Sequence, residues 1–328
     1  MKKTTLCYIE KDDKYLMLLR NKKKSDPNEG KWIGVGGHVE EGESTAECVC
    51  REVREETGLE LTEFSFKGIV YFISDKWDDE AMYLYTATGA KGELKDCDEG
   101  ELKWIAKSEV MNLNLWEGDK IFLGRLLNDS DENSNLFEMK LTYRGDDLID
   151  SKYTDLHMEK AVAEDVESIL ALYEYVVREV NKSSIKLGWN TATYPDKSFI
   201  DEAIKNGEMC IIRGVDSIIA AAVTNHNVNA EYDDIDWAVK SPKEKIATIH
   251  ALAVSPDYRG SKISYSFLKE IEDYCKKQGD IAIHLDVIDT NIPAYKLYIN
   301  NGYKEMAEIE MYYEVVGARH FWMMEHEL

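Results

Sequence analysis

Residues 37–59 read GHVEEGESTAECVCREVREETGL, and the spacing within them decides the fold of the first half of the chain. From Thr45 the pattern is helical: Ala46, Val49, Cys50 and Val53 recur at i, i+3, i+4 and i+7. Glu52, Glu55 and Glu56 fall on a different face, within about one third of the helix circumference. Three clustered carboxylates repel one another, and each is costly to hold ionised beside the others. A hard divalent cation, which takes oxygen ligands, is the simplest compensation. Gly37 and Gly42 frame the loop that enters the helix, and Gly58 stands where a C-cap glycine belongs. The plain alternative is a solvated acidic face braced by Glu–Arg pairs. Many fixed positions across one loop and one helix weigh against it.

Outward from this stretch, the chain has 328 residues, enough for two domains with two cores. Hydrophobic residues make up 44%, which excludes a disordered chain. No apolar run is long enough to span a bilayer, and the start, MKKTTLCYIEKDD, reads as a strand and not as a signal peptide. A cytoplasmic protein with no membrane partner is expected. The net charge of -23 repels nucleic-acid polymers and argues against a DNA- or RNA-binding module. A small nucleotide is still acceptable, because a bound metal inverts the local field. The six cysteines include no Cys-x-x-Cys, and buried free thiols in a reducing compartment are the expectation.

In chain order, 3–10 and 14–20 read as a hairpin with an Asp-Asp turn. Lys22-Lys23-Lys24 lie in a loop closed by Asp26-Pro27-Asn28-Glu29-Gly30. Arg20 and Lys23 are candidates to meet phosphates, with a solubilising loop as the alternative. A short strand at 32–35 leads into the helix. Strands follow at 64–73 and 81–88, then an acidic loop and a strand ending near Trp104. Helices are expected at 108–111 and 119–127, a polar loop at 129–135, and a last strand at 136–143. The boundary is expected at 151–155, giving domains 1–153 and 154–328. The second half restarts with a strand at 156–162, an N-cap at Asp165 and a helix to about 179. A helix follows the GWNTATYP loop, then a hairpin at 210–213 and 217–224. Strand 247–254, helix 260–277, strand 281–287, helix 293–300 and two final strands complete it.

The residues Gly37, Glu43, Arg51-Glu52, Glu55-Glu56 and Gly58-Leu59 keep the spacing of the Nudix box, and residues 1–150 resemble the MutT-like Nudix hydrolases. The resemblance implies an α/β/α sandwich with a mixed sheet. It implies magnesium (or manganese) held by Glu52, Glu55, Glu56 and the Gly37 carbonyl over a diphosphate, with Glu52 also a candidate base. Arg51 would pair with Glu43 to brace loop against helix. GKWIGVGGHVEEGE, Glu99 five residues before Trp104, and LWEGDKIF resemble the oxidised purine nucleoside triphosphatases more narrowly. That likeness implies Glu99 as a further metal ligand or base, Trp116 stacking on a purine and Asp119 bonding its edge. A core aromatic and a helix N-cap are the respective alternatives. Ile33 departs from that pattern, where the animal enzymes carry a base-contacting asparagine. Tyr71, Phe72 and Met82 are further candidates to line the pocket.

IHALAVSPDYRGSKISYSFLKEI and DTNIPAYKLYINNGY carry a second resemblance, to the GNAT acyl-CoA N-acetyltransferases, over residues 156–328. A strand, Arg259-Gly260 and an immediate helix aim backbone N–H groups at an anion. The resemblance implies a mixed-sheet α/β domain in which Arg259, Gly260, Ser261, Lys262, Ile263 and Ser264 cradle the pyrophosphate of acetyl-CoA. Leu252 to Val254 would offer strand backbone to the pantetheine, Asn291 would contact CoA, and Tyr298 would protonate the leaving thiolate. Lys262 departs from the pattern by replacing a glycine. The acceptor is an unidentified amine, and no general base stands out; His250 and Glu244 are merely near in sequence. The leading expectation is a nucleotide pyrophosphohydrolase, acting on (oxidised) purine triphosphates such as 8-oxo-dGTP, fused to an acetyltransferase. The alternatives are ADP-ribose, nucleotide-sugar or CoA-type substrates, and a non-catalytic acyl-CoA sensor.

Overall fold

A computed structural model describes residues 1–23, 26–128, 136–313 and 317–328. The polar loop expected at 129–135 and Lys24 lie outside the described residues. The chain divides into two units, Met1–Leu156 and His157–Leu328.

In the first unit β1 (Lys2–Lys11) and β2 (Lys14–Arg20) form the expected hairpin. β3 (Trp32–Ile33) extends it, and α1 (Thr45–Thr57) follows. β4 (Glu60–Ser74), β5 (Glu80–Lys91), β6 (Gly100–Ala106), α2 (Lys107–Val110), α3 (Glu117–Asn128), β7 (Phe137–Arg144) and β8 (Asp147–Asp155) complete the unit. The sheet order is β3-β2-β1-β5-β4-β7-β8, with β6 also paired to β2. β1 runs parallel to β5, and β4 to β7, so the sheet is mixed. Alternation along β1 assigns its two faces. Thr5 meets Cys48 of α1 at 3.4 Å, whereas Tyr8 packs with Phe122 of α3 in the main core. Helices therefore cover both faces, and the sandwich is α/β/α.

β8 is absent from the sequence reading, and it contains the segment 151–155 where the boundary was expected. It is an edge strand whose side chains are mostly exposed. A charged edge strand discourages pairing with other chains and looks like a polar linker in sequence.

The second unit contains β9 (Met158–Lys160), α4 (Val166–Val180), α5 (Lys197–Lys205), β10 (Met209–Arg213), β11 (Ile218–Asn225) and β12 (Ile246–Val254). It continues with α6 (Ile263–Gln278), β13 (Ala282–Ile288), α7 (Ile292–Asn300), β14 (Lys304–Tyr313) and β15 (Gly317–Glu327). The order β14-β15-β13-β12-β11-β10-β9 is antiparallel except for β12 beside β13. α4 and α5 bury Ile169, Leu172, Tyr173 and Ile200 in one core with β10 and β11. Asp165 precedes α4, but its carboxylate does not cap that helix. It accepts the Val162 N–H at 2.9 Å and two Arg213 hydrogen bonds at 2.6 and 2.8 Å. The charged guanidinium is the stronger partner.

Candidate active sites

α1 begins with a capping box. The Ser44 side chain accepts the Glu47 N–H, and Glu47 returns a bond to Ser44 N at 2.8 Å. Gly58 ends the helix in the left-handed conformation at φ 78°. With both ends fixed, the helix turns Cys48, Val49, Val53 and Thr57 inward, while Ala46 and Cys50 are only half-buried. This rotation separates the three glutamates. Glu56 is 8% exposed and faces the sheet; the Glu55 side chain is 61% exposed and lies against Arg51 at 3.3 Å.

Glu52 lies against the entry loop. A Cβ built on Gly37 would fall 2.5 Å from the Glu52 carboxylate, so only glycine admits this approach. The Gly37 carbonyl accepts the Thr5 N–H at 2.8 Å, which pins the loop to β1. Arg51 joins the two pieces. It grips both Glu43 oxygens at 2.9 Å, donates to His38 O at 3.0 Å and to Glu52 at 2.7 Å. The Arg51 guanidinium holds the Glu43 carboxyl below its ordinary range.

Glu56 accepts the Gly36 N–H at 3.2 Å. Burial, together with the charges of Glu99 and Glu52, pushes its carboxyl up to about 8. Burial also opposes ionisation of Glu99, but its hydrogen bond from Lys23 and the charge of Arg20 hold that carboxyl below its ordinary value. Arg20 donates to both Glu99 and Asp26, and its guanidinium stands 4.0 Å from Glu56. Two basic groups thus already sit on the acidic pair.

Among the described residues no group of three or more acidic, histidine or cysteine side chains converges on a metal-sized point as it stands. The donor chemistry nonetheless suits a hard divalent cation. Glu52, Glu56, Glu99 and Gly37 line one cleft, where burial beside two other carboxylates makes Glu56 costly to ionise. Glu55 is not part of that lining.

The cleft has a volume of ≈ 610 Å³, within the range of small-molecule sites. Arg20 and Lys23 lie in it, and so do Ile33, Phe72, Met82, Trp116 and Asp119. Tyr71 does not; its hydroxyl bonds Glu138 at 2.9 Å. Trp116 is held by three neighbours: its indole N–H donates to Asn28 Oδ1 at 2.8 Å, Tyr143 meets it edge-on at 5.8 Å, and Lys31 sits over the ring at 4.6 Å. Asp119 lies within the first turn of α3, 4% exposed, and burial pushes its carboxyl up to about 7. Asn28 and Tyr143 escaped the sequence reading. Asn28 sits in a turn-forming run, and 88 residues separate it from its partner.

In the second unit Gly260 (φ 81°) and Lys262 (φ 65°) bring the chain into α6. Lys262 adopts the left-handed conformation that the replaced glycine takes easily. Ser261 is buried and donates to Tyr258 O at 2.6 Å, which closes the turn just before α6. Ala253 and Val254 pair with β11 on one side, and Leu252 falls at a register shift against it. On the other, β12 and β13 share a ladder just over Ile246–Thr248 and Ala282–His284. Asn291 caps α7 through the Ala294 N–H at 3.3 Å. Tyr298 is buried, which raises its phenol, and its ring lies 5.3 Å from Tyr303. His250 Nε2 is engaged by Asn225 Oδ1 and Asn227 O, both at 3.0 Å, and burial lowers its pKa. Glu244 sits in an exposed turn. Trp189 and Tyr194 of the GWNTATYP loop pack on Tyr173 and Phe199.

Residues 2–126 match the family model described as NUDIX domain, and residues 170–303 match Acetyltransferase (GNAT) family. The uncharacterized Nudix hydrolase YvcI of Bacillus subtilis (strain 168) is 30% identical over 148 residues, 44% of this chain and 87% of that protein. The NAD-capped RNA hydrolase NudC of Vibrio vulnificus (strain CMCP6) is 38% identical over 86 residues, 25% of this chain and 31% of that protein. The oxidized purine nucleoside triphosphate hydrolase of Danio rerio is 26% identical over 111 residues, 34% of this chain and 71% of that protein.

Proposed function

Because this chain belongs to the Nudix hydrolase family and carries a GNAT acetyltransferase domain in its second half, we propose that it is a bifunctional enzyme whose first unit hydrolyses a purine nucleoside triphosphate to the monophosphate and pyrophosphate. The observation that carries this reading is a single cleft lined by two chemically distinct sets of groups. Arg20 and Lys23 with the carboxylates Glu52, Glu56 and Glu99 form one set, and Trp116 with Asp119 the other. The indole offers a flat face to a purine. Asp119, with its carboxyl near neutrality, bonds the purine edge as donor or acceptor. Magnesium or manganese, held by Glu52, Glu56, Glu99 and the Gly37 carbonyl with Glu55 alongside, would neutralise phosphate charge and acidify a water. Glu52, steadied by Arg51, takes the proton of the attacking water. Arg20 and Lys23 move from the carboxylates to the phosphates. An oxidised purine such as 8-oxo-dGTP is the finer choice, supported by the similarity to the Danio rerio enzyme.

The similarity to NudC favours a second reading, a dinucleotide-type diphosphate such as ADP-ribose, a nucleotide sugar or CoA. A panel of purine triphosphates, oxidised and not, set against ADP-ribose, NAD and CoA separates the two. Preference for any dinucleotide over every triphosphate sinks the first.

For the second unit we infer acetyl transfer from acetyl-CoA to an amine. The turn from Arg259 to Ser264 receives the pyrophosphate, the open edge Leu252–Val254 the pantetheine, and Asn291 a further CoA contact; Tyr298 donates the proton to the thiolate. Calorimetry with acetyl-CoA tests this. Binding without turnover on any amine, coupled to a changed hydrolase rate, would make the unit a sensor instead. The free cysteines, five of them buried, suit a reducing compartment, and we assign the enzyme to the cytoplasm.

A further inference from the structure

We propose that Asp26 is a positioning residue of the first unit: its carboxylate links the arginine that meets the phosphates to the loop that holds the purine platform, so that seating the base sets where the phosphates lie. This rests on the purine triphosphate reading of the cleft and adds the device that joins base recognition to hydrolysis.

Each link is a hydrogen bond between neighbours. Arg20 donates through Nη1 to Glu99, one of the candidate metal ligands. Its Nε and Nη2 both reach Asp26 Oδ2 at 2.6 Å. The other carboxylate oxygen, Oδ1, accepts the Asn28 N–H at 2.9 Å. Asn28 in turn accepts the Trp116 indole N–H through its own Oδ1 at 2.8 Å. An indole N–H can only donate, so the Asn28 amide must turn its oxygen to the ring. Glu99, Arg20, Asp26, Asn28 and Trp116 form an unbroken chain from the acidic pair to the aromatic platform, and all five line the one cleft.

The base of the loop that carries Asp26 and Asn28 is fastened on two sides. Gly30 N–H donates to Arg20 O at 2.7 Å and Arg20 N–H to Lys31 O at 3.0 Å. Trp32 N–H reaches Asn114 O at 3.0 Å, the Asn114 amide reaches Gly30 O at 2.9 Å, and the Lys31 ammonium reaches Leu115 O at 3.1 Å. The loop is thereby tied to the segment that leads into Trp116.

The Asp26 side chain is 5% exposed and that of Arg20 13%. A turn that needed only an acceptor for the Asn28 N–H would be served by asparagine or serine, without the cost of burying a charge. The charge is matched instead to Arg20. Because Asp26 takes Nε and Nη2, Nη1 is the nitrogen left to turn from Glu99 to a phosphate oxygen. The guanidinium keeps its place while its partner changes, and that place is fixed relative to Trp116. Binding free energy from the base then acts at the phosphorus, as remote contacts do when they orient a reacting group.

The test uses the full chain with magnesium and compares kcat/KM for the best of dATP, dGTP and 8-oxo-dGTP with that for dCTP. We expect the wild type to prefer the purine. Asp26→Asn, which keeps an acceptor for the Asn28 N–H but removes the charge beside Arg20, should shrink that preference by about 10-fold. Asn28→Ala should shrink it comparably, and the two substitutions together should do no more than the larger alone, since they cut one chain. An aspartate that only shapes the turn predicts otherwise, because both substrates then lose by one factor. An unchanged purine preference, or losses that multiply in the double variant, would overturn the assignment and leave the triphosphate reading standing. Where Asp26→Asn fails to fold, Asp26→Glu keeps the charge and lengthens the link by a methylene. The same shrinkage is expected of it, and an unchanged preference again overturns the assignment. A wild type that prefers no purine triphosphate over dCTP overturns both.

Discussion

Glu52 and Gly37 are in contact across the loop–helix junction: a Cβ at position 37 would stand 2.5 Å from the Glu52 carboxylate. The obstructing atoms belong to the end of a flexible side chain, and Gly37 is not among the residues at positive φ. Gly37→Ala should therefore fold with little loss of stability but push Glu52 out of place. Displacement of a reacting group by about 1 Å costs on the order of 10²-fold in rate. Denaturation midpoints beside kcat check this; equal losses in both would contradict it.

Arg51 is predicted to tolerate no lysine. Its fork holds both Glu43 oxygens and, in addition, His38 O and Glu52. A lysine ammonium cannot reproduce that fork. Arg51→Lys should cost about 1–3 kcal/mol in denaturant unfolding. Hydrolysis should fall with it, because the loop that carries Gly37 loses its brace.

Arg20 and Lys23 should separate in a paired measurement. Arg20 is 13% exposed and serves Asp26, Glu56 and Glu99, whereas Lys23 is 54% exposed and serves Glu99. Arg20→Gln should lower both stability and the affinity for triphosphate. Lys23→Gln should raise KM alone, since an exposed ion pair contributes about 0–1 kcal/mol to folding. A stability loss in Lys23→Gln matching that of Arg20→Gln would reject the distinction.

Asp119 gives a signed pH prediction. Its folded carboxyl, near 7, is above the ordinary value of 3.8, so the folded state binds the proton more tightly. Its stabilising contribution is complete below the unfolded value and is lost as pH rises through the folded one. Asp119→Asn, always neutral, should flatten the decline in stability between about pH 4 and 7. Urea unfolding across that window checks it. An unchanged slope would mean that Asp119 ionises freely in the cleft.

Much of this was legible in the sequence, and what was not has physical causes. Ser44, Glu47 and Gly58 announce both ends of α1, and the apolar spacing announces a helix. The spacing does not tell Glu55 from Glu56, because the rotation of the helix is set by contacts with β1 and the Gly36–Gly37 loop. β8 was missed because an edge strand with exposed charges alternates too weakly to be read. The partnership of Trp116 with Asn28 is a tertiary fact with no local signal. The parting of β12 from β13 likewise depends on which strands are neighbours.

The most direct test of the proposed hydrolase cleft is the identity of the products of 8-oxo-dGTP hydrolysis in magnesium, separated by ion exchange, for the wild type, Glu56→Gln and Trp116→Ala. The account predicts monophosphate and pyrophosphate from the wild type. It predicts a fall of about 10²-fold or more in kcat for Glu56→Gln, and a loss expressed mainly in KM for Trp116→Ala. A wild-type enzyme inert on every purine triphosphate, or Glu56→Gln turning over at the wild-type rate, would contradict it.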